Sequence, residues 1–424
     1  MAFVFELSPP PHPLAACNAL RDRPDLLFLD SAQGEGHSYL MADPWQSVRD
    51  PLSLRASVRA HGRAPLPDLP PFQGGGAGFI DYEWRGEASD AFRFGLYDWV
   101  IAWDHARGKA WLVSTGIPEK GEERERRSRA RAEEVLARLR SAQMPPTPAD
   151  LRLDFVSNFS PEGYRAAVSD ILGRIGAGEV EQVNLSQRFT APSPSDPWSL
   201  YLRLRALNPA PFAVFAKSAD RVVVSASPER FFQVRNGKVE SRPIKGTRPR
   251  GEDEAADRRI EAELRASEKD RRENRMIAEL LADELSSVCE EVRLAKFCRL
   301  EKQPTVQHLV SVVEGALAPG RDPLDLLLAL FPGASITGRP KRAAMEIISE
   351  LEDGPRGAYC GSAAWWSHGG DFDSNVLIRT FVIEGATLHF SVGGGIVAGS
   401  RPDTEWEETM HKARALLRAA GAGA

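Results

Sequence analysis

Apolar positions in residues 1–115 fall in short runs broken by turn residues rather than at helical spacing, so residues 26–29, 78–80, 99–103 and 110–113 read as strands. Between 118 and 148 the pattern changes. A charge-dense stretch at 119–127 leads into a helical pattern with Val135, Leu136 and Leu139 on one side and prolines behind it, which reads as a solvated surface helix and a linker. Ser160 followed by Pro161 and Glu162 looks like an N-cap with proline at the first helical position, opening a helix through Ile175 that stops at Gly176 or Gly178. Further strands are expected at 222–226, 377–383 and 388–392, and helices at 261–288, 340–351 and 404–419. The first of these helices carries Met276, Ile277, Leu280, Leu281, Leu285 and Val288 on one face. Strands and helices do not alternate in a βαβ rhythm, so the pattern predicts an α+β fold with large antiparallel sheets.

Composition narrows the class. With 42% hydrophobic and 27% charged residues the chain is an ordinary globular one, and 424 residues suffice for two or three units or one large fused core. A formal charge of −5 leaves no basic field to hold nucleic acid, so a small substrate is favoured. Cys17, Cys289, Cys298 and Cys360 show no C-x-x-C pair, which points to reduced thiols rather than a disulfide or zinc framework. Glu6 interrupts the first apolar stretch, prolines follow at 9–11 and 13, and no run of about 18 apolar residues occurs. A cytoplasmic protein, neither secreted nor inserted in a membrane, is expected.

Candidate chemistry gathers in three places. Glu405, Glu408 and Lys412 stand at i, i+3 and i+7, on one stripe of the last helix. On its own this pattern also fits an exposed salt-bridged face. The preceding Gly393-Gly394-Gly395 run, however, offers bare backbone to an anionic ligand, and paired carboxylates beside it suggest Mg²⁺. Glu273 lies in the polar opening of the long helix, where a solvated charge run is the alternative. Lys245 stands among Arg242, Arg248 and Arg250 in a chain with ten lysines against forty-four arginines. Lysine, unlike arginine, can act as an amine nucleophile once neighbouring cations lower its pKa, although a solvated basic loop fits the same residues. Glu229, at the end of a strand-like run, is a candidate general acid.

In order along the chain, several segments resemble the chorismate-utilising enzymes, a family that includes anthranilate, aminodeoxychorismate, isochorismate and salicylate synthases. They are Phe28-Leu29-Asp30-Ser31-Ala32, residues 71–78, Gln182-Val183-Asn184-Leu185-Ser186, Ser227-Pro228-Glu229-Arg230-Phe231, residues 331–338, Tyr359-Cys360-Gly361-Ser362, Ile378-Arg379-Thr380 and residues 393–408. The resemblance implies large antiparallel β-sheets forming a sandwich with helices on the outside, as in anthranilate synthase component I. It divides the chain into an N-terminal domain of that type at 1–117, a charged helix and proline-rich linker at 118–152, and a chorismate-binding catalytic domain at 153–424.

Site roles follow from the resemblance alone. It implies Mg²⁺ held by Glu273 and Glu408 with Glu405 in the outer shell, and a carboxylate of chorismate held by Tyr359, Arg379, Lys412 and the Gly393, Gly394 and Gly395 amides. His308, Thr247 and Thr337 would contact substrate, and Glu229 would protonate the departing C4 hydroxyl. Water-using members have lysine at the position of Gln182, whereas ammonia-using members resemble this chain. Anthranilate synthases have alanine where Lys245 stands, and the aminodeoxychorismate synthases have lysine, which attacks C2 before ammonia enters at C4. No Gly-x-Cys-x-Gly nucleophile elbow surrounds any cysteine, so a separate glutaminase subunit would supply the ammonia. Asp30 and Ser31 resemble a tryptophan pocket of relatives, which keeps a non-catalytic tryptophan-sensing regulatory subunit as one alternative; an anthranilate synthase component I is the other. The chain departs from the family pattern at 278–284, at Arg339 and at Arg401.

Overall fold

The computed structural model describes residues 2–303 and 306–422. Two antiparallel sheets dominate it. The larger, of twelve strands, runs in the order Phe3–Leu7, Lys109–Ser114, Trp99–Asp104, His37–Met41, Leu26–Asp30, Phe212–Lys217, Arg221–Ser227, Thr380–Glu384, Thr387–Val397, Gln182–Pro192 and Gly338–Arg339, with Val156–Ser157 beside Gln182–Pro192. The second, of ten strands, runs Ile244–Pro249, Val306–Leu317, Lys238–Ser241, Arg230–Arg235, Phe372–Asn375, Ser362–Ser367, Gly75–Ile80, Phe92–Tyr97 and Gln46–Val48, with Cys289–Lys302 pairing Val306–Leu317.

Strands from the two ends of the chain are interleaved in both sheets. Leu26–Asp30 pairs with Phe212–Lys217 in one, and Gly75–Ile80 with Ser362–Ser367 in the other. The segments 1–117 and 153–424 therefore share a single sandwich, the fused-core option that length allowed. Leu27, Val100, Val223 and Trp365 meet between the sheets, whereas Leu26, Phe28, Trp99 and Ile101 face the other way, into a core closed by helices Pro13–Leu20, Gly121–Leu139, Pro197–Leu207 and Pro402–Ala419. Burial on both faces explains why these strands read as unbroken apolar runs.

Helix starts follow the capping chemistry of the sequence. Ser160 accepts from the Gly163 amide and Asp196 from those of Trp198 and Ser199, each ahead of a proline at the first position. The helix expected over 261–288 is two: Glu254–Ala266 ends at Ser267, and Ser267 itself caps Glu268–Ser286 by accepting from the Asp270 amide. A cap competes with helix continuation because the hydroxyl satisfies an amide in a non-helical conformation. All four cysteines are buried free thiols, and among the described residues no helix is long and apolar enough to cross a membrane.

Between the sheet end and helix Pro51–Ala60, His368 is 4% exposed with its ring 5.8 Å from that of His61. Burial, with Arg63 and His61 nearby, pushes its pKa down to about 3. The neutral ring is favoured in the folded state, so its contribution to stability is complete above the unfolded value of about 6.5 and is lost as pH falls toward 3. Wild type should lose stability more steeply than His368→Phe across that window, by at most about 1.4 kcal/mol per pH unit. Parallel denaturation curves for the two proteins between pH 6.5 and 4 would refute the assignment.

Candidate active site

The larger sheet forks. Strand Thr387–Val397 pairs with Gln182–Pro192 along its whole length but with Thr380–Glu384 only as far as Phe390. The strand expected over 377–383 begins only at Thr380, because Arg379 adopts a left-handed φ of 53° and its carbonyl accepts from the Ala226 amide. A bulky residue in that region is strained, and such strain concentrates at functional positions. Glu229 enters from the link between Arg221–Ser227 in one sheet and Arg230–Arg235 in the other, its amide donating to the Ser227 hydroxyl at 3.3 Å and its carbonyl accepting from the Val376 amide at 3.0 Å.

Gly393, Gly394 and Gly395 form ladder rungs opposite Ser186, Leu185 and Asn184, not the loop cradle that a glycine run suggests. Space explains them. A Cβ on Gly393 would lie 2.3 Å from the Leu185 carbonyl, and one on Gly395 2.8 Å from the Gln182 side-chain nitrogen. At Gly394 it would stand 3.3 Å from Glu405 Oε2 and 3.6 Å from Glu408 Oε1, so the bare backbone there faces the paired acids.

Glu405 and Glu408 project from helix Pro402–Ala419 and Glu273 from Glu268–Ser286, and their charges act on one another. Burial raises the pKa of Glu273 against the pull of Lys245 and Lys269, and raises that of Glu405 with Glu408 adding to the effect. Glu408 keeps 47% of its side chain in solvent; partial desolvation pushes it up, but Lys412 at 2.7 Å, with Lys269 and Lys245, holds it below the usual range. Lys412 also donates to the Gly393 carbonyl at 2.8 Å. Lys269, 3.9 Å from Glu273 and felt by all three acids, belongs to the site, though its place in a charge run hid it in the sequence.

The carboxylates suit a hard dication. No group of three acidic, His or Cys residues poised to enclose a metal occurs among the described residues. Mg²⁺ does not need one, since it is commonly held by one or two carboxylates with water and substrate oxygens. Glu273 and Glu405, both desolvated and each repelled by Glu408, with lysines as their cationic neighbours, are donors of that kind.

Lys245 donates to the Ser335 carbonyl at 3.2 Å, and its charge acts on Glu229, Glu273 and Glu408. The arginines expected to act on it are engaged elsewhere: Arg242 with Glu301, Arg248 with Asp270 at 3.0 Å and Glu263 at 3.3 Å, Arg250 with Asp257 at 2.8 Å. Acids, not arginines, form the field around the amine. Glu229 is 8% exposed, and burial raises its pKa while Lys245, hydrogen bonding from the Ser335 side chain and Arg379 oppose the rise. Arg379 donates to Asn208 at 3.2 Å and makes no ion pair among the described residues, which leaves a partly buried cation open to an anionic ligand.

His308 bonds the Thr247 hydroxyl at 2.8 Å, and burial with Arg379 nearby lowers its pKa to about 4, so its ring is neutral at pH 7. Gln182 is 1% exposed, and its Oε1 accepts no hydrogen bond from any described residue. Thr337 is buried with its hydroxyl on the Gly333 carbonyl at 3.0 Å, and Tyr359 is buried with its ring 5.9 Å from the Arg356 guanidinium. Away from this cluster, Asp30 and Ser31 line a cavity of about 560 Å³ between the sheets, together with Phe212 and Trp365. The Asp30 carboxylate is already bonded by Tyr201 at 2.7 Å and Arg205 at 2.6 Å. Arg339, beside Gln182, lies 3.7 Å from Glu181, and Arg401 is the exposed N-cap position of the last helix.

A cluster of acids and lysines, an amine, a buried acid and a partly buried arginine around a fork in a large antiparallel sheet define a site for a small anionic substrate. The chain belongs to the chorismate binding enzyme family, which it matches over residues 26–418. It is 38% identical over 392 residues to aminodeoxychorismate synthase component 1 of Klebsiella aerogenes, covering 88% of this chain and 83% of that protein. It is equally 38% identical over 394 residues to anthranilate synthase component 1 of Thermus thermophilus, again covering 88% and 83%. The crystal structure of anthranilate synthase component I from Streptococcus pneumoniae superposes with a TM-score of 0.79 at 28% identity, covering 90% of this chain and 92% of that one. The chain is thus a chorismate-utilising enzyme, and overall identity does not choose between the two activities.

Proposed function

We propose that this chain is the synthase subunit of an aminodeoxychorismate synthase, converting chorismate and ammonia to 4-amino-4-deoxychorismate on the route to p-aminobenzoate and folate. The observation that carries the reading is Lys245, a primary amine bound to the same Ser335 turn as Glu229 and facing the acid cluster. An amine there can form a covalent intermediate that alanine cannot. The neutral Lys245 amine attacks C2, the ring double bonds shift, and the C4–oxygen bond breaks with the oxygen leaving as water on a proton from Glu229. Ammonia then attacks C4, the double bonds shift back and the C2–nitrogen bond breaks, returning the lysine amine. Burial of Glu229 supports its part, because a raised pKa keeps the acid protonated toward neutral pH.

Arg379 pairs with a substrate carboxylate, with Tyr359, Lys412 and the Gly393–Gly395 backbone around it, while neutral His308, Thr247 and Thr337 line the ring side. Gln182 offers an unoccupied acceptor and no base, which suits ammonia rather than activated water as the nucleophile. Glu273 and Glu408, with Glu405 behind them, would hold Mg²⁺, which supplies positive charge for a carboxylate of the dianionic substrate. Relatives carry the designation component 1, and the ammonia comes in this reading from a separate glutaminase subunit.

Purified protein given chorismate, Mg²⁺ and an ammonium salt at alkaline pH should yield aminodeoxychorismate, and glutamine should replace ammonium only when a glutaminase subunit is added. Fluorescent anthranilate as the product would overturn the reading in favour of C2 amination, and glutamine-dependent turnover by the isolated chain would overturn the partner.

A further inference from the structure

Both side chains assigned to the covalent step are held by Ser335. Its carbonyl accepts from the Lys245 amine at 3.2 Å, and its side chain stands near enough to Glu229 to oppose the rise in that acid's pKa. Yet Ser335 sits in the 3-10 turn Ala334–Ile336, a conformation with poor hydrogen-bond geometry of its own. What fixes the turn is a buried ion pair assigned no contact with substrate. Glu352 and Arg356 meet at 2.6 Å with side chains 8% and 3% exposed. Arg356 donates to the Ile336 carbonyl at 2.9 Å and to the Asn184 carbonyl at 2.8 Å, while Glu352 accepts from the Ser186 amide at 2.8 Å and hydroxyl at 2.7 Å. The Asn184 side-chain amide closes the arrangement, donating to the carbonyls of Ser335 at 3.2 Å and Thr337 at 3.3 Å. The amides of Arg356 and Gly357 donate to Glu83 at 2.7 and 3.0 Å, and the guanidinium lies 4.7 Å from the Tyr82 ring centroid.

A buried ion pair rarely improves stability over a packed apolar pair, because desolvation offsets the attraction; fixing geometry is its better-attested use. Here Arg356 bonds Ile336, next to Ser335, and Asn184, whose side chain bonds the Ser335 carbonyl, while Glu352 holds the strand at Ser186. We infer that Glu352 and Arg356 are positioning residues that lock the Ser335 turn to strand Gln182–Pro192, so that Lys245 and Glu229 meet the substrate at a fixed separation. The inference rests on the assignment of Lys245 as the nucleophile, but its first readout does not require any turnover.

Full-length protein is treated briefly with an amine-acylating reagent, and modification of Lys245, exposed Lys217 and Lys341 is read by peptide mass spectrometry. Lys341 is an internal control, held by Glu284 at 2.7 Å and by the Leu330 carbonyl at 2.8 Å. In Glu352→Gln the Lys245 rate should rise about threefold relative to Lys217, the scale of one lost hydrogen bond, with Lys341 unchanged. Asn184→Ala, at a partly exposed position, should give a smaller rise in the same direction and serves if Glu352→Gln does not fold. In turnover, kcat should fall about tenfold with the chorismate KM nearly constant, the mark of geometry lost in the transition state rather than of binding. An unchanged ratio of Lys245 to Lys217, or a parallel rise at Lys341, would overturn the positioning role. Absence of amination by wild type would overturn the proposed function while leaving the acylation result to stand by itself.

Discussion

Lys245→Ala should lose aminodeoxychorismate formation by about 100-fold or more, roughly 2.7 kcal/mol of transition-state stabilisation. With chorismate and Mg²⁺ but no ammonia, wild type should gain the mass of chorismate less one water on the peptide containing Lys245, and ammonia should discharge it. The size of the effect follows from what the side chain does: it divides a difficult displacement at C4 into two, and among the described residues no other lysine bonds the Ser335 turn. Lys269 and Lys412, the other lysines of the site, stand beside Glu273 and Glu408 instead of on the Ser335 turn. Direct attack by ammonia on the ring sets the residual rate. The field around Lys245 also bears on the test, because carboxylates surround the amine where the sequence suggested arginines. Mg²⁺ held by those acids would occupy the carboxylates that face the amine, so adduct formation should depend on a bound divalent ion. An alanine variant with undiminished C4 amination, or a wild type that shows no adduct on rapid quench, would remove the covalent route.

Local pattern made much of the fold legible. Runs such as 99–103 are strands buried on both faces, and the Ser160-Pro161 start is the cap it resembles. The pairing of Leu26–Asp30 with Phe212–Lys217 was not legible, since registers between distant segments leave no local periodicity. Nor was the break at Ser267, because the serine that acts as a cap stands in a run of charged residues that are good helix formers on both sides. In the site, Glu405 and Glu408 were readable from helix spacing, and Glu273 only through resemblance. Arg379 lay inside an apparent strand, and its left-handed backbone has no signature in a bulky residue. Glu352 and Arg356 carry no periodicity or motif that singles them out in the sequence; their burial and their bonds to Asn184 and Ile336 do so.

The second large effect concerns the acids. Glu273→Gln and Glu408→Gln should each lower kcat about 1,000-fold or more and abolish Mg²⁺ binding measured by calorimetry, because each removes a hard anionic donor without changing side-chain shape. Stability separates this loss from misfolding. The folded pKa of Glu273 is raised by burial, so at neutral pH its charge destabilises the fold, and the cost disappears as pH falls through that raised value. The neutral glutamine should thus leave the protein as stable as wild type at pH 7, or more so, while activity vanishes. Such a trade is what an active site built from repelling carboxylates predicts, since the groups are kept for a ligand and not for the fold. Glu405→Gln, farther from substrate in this reading, should cost less. Full turnover in excess chelator, or Glu273→Gln and Glu408→Gln proteins that keep their Mg²⁺-dependent rate, would sink the metal assignment. A Glu273→Gln protein that melts well below wild type at pH 7 would instead mean that the carboxylate serves the fold.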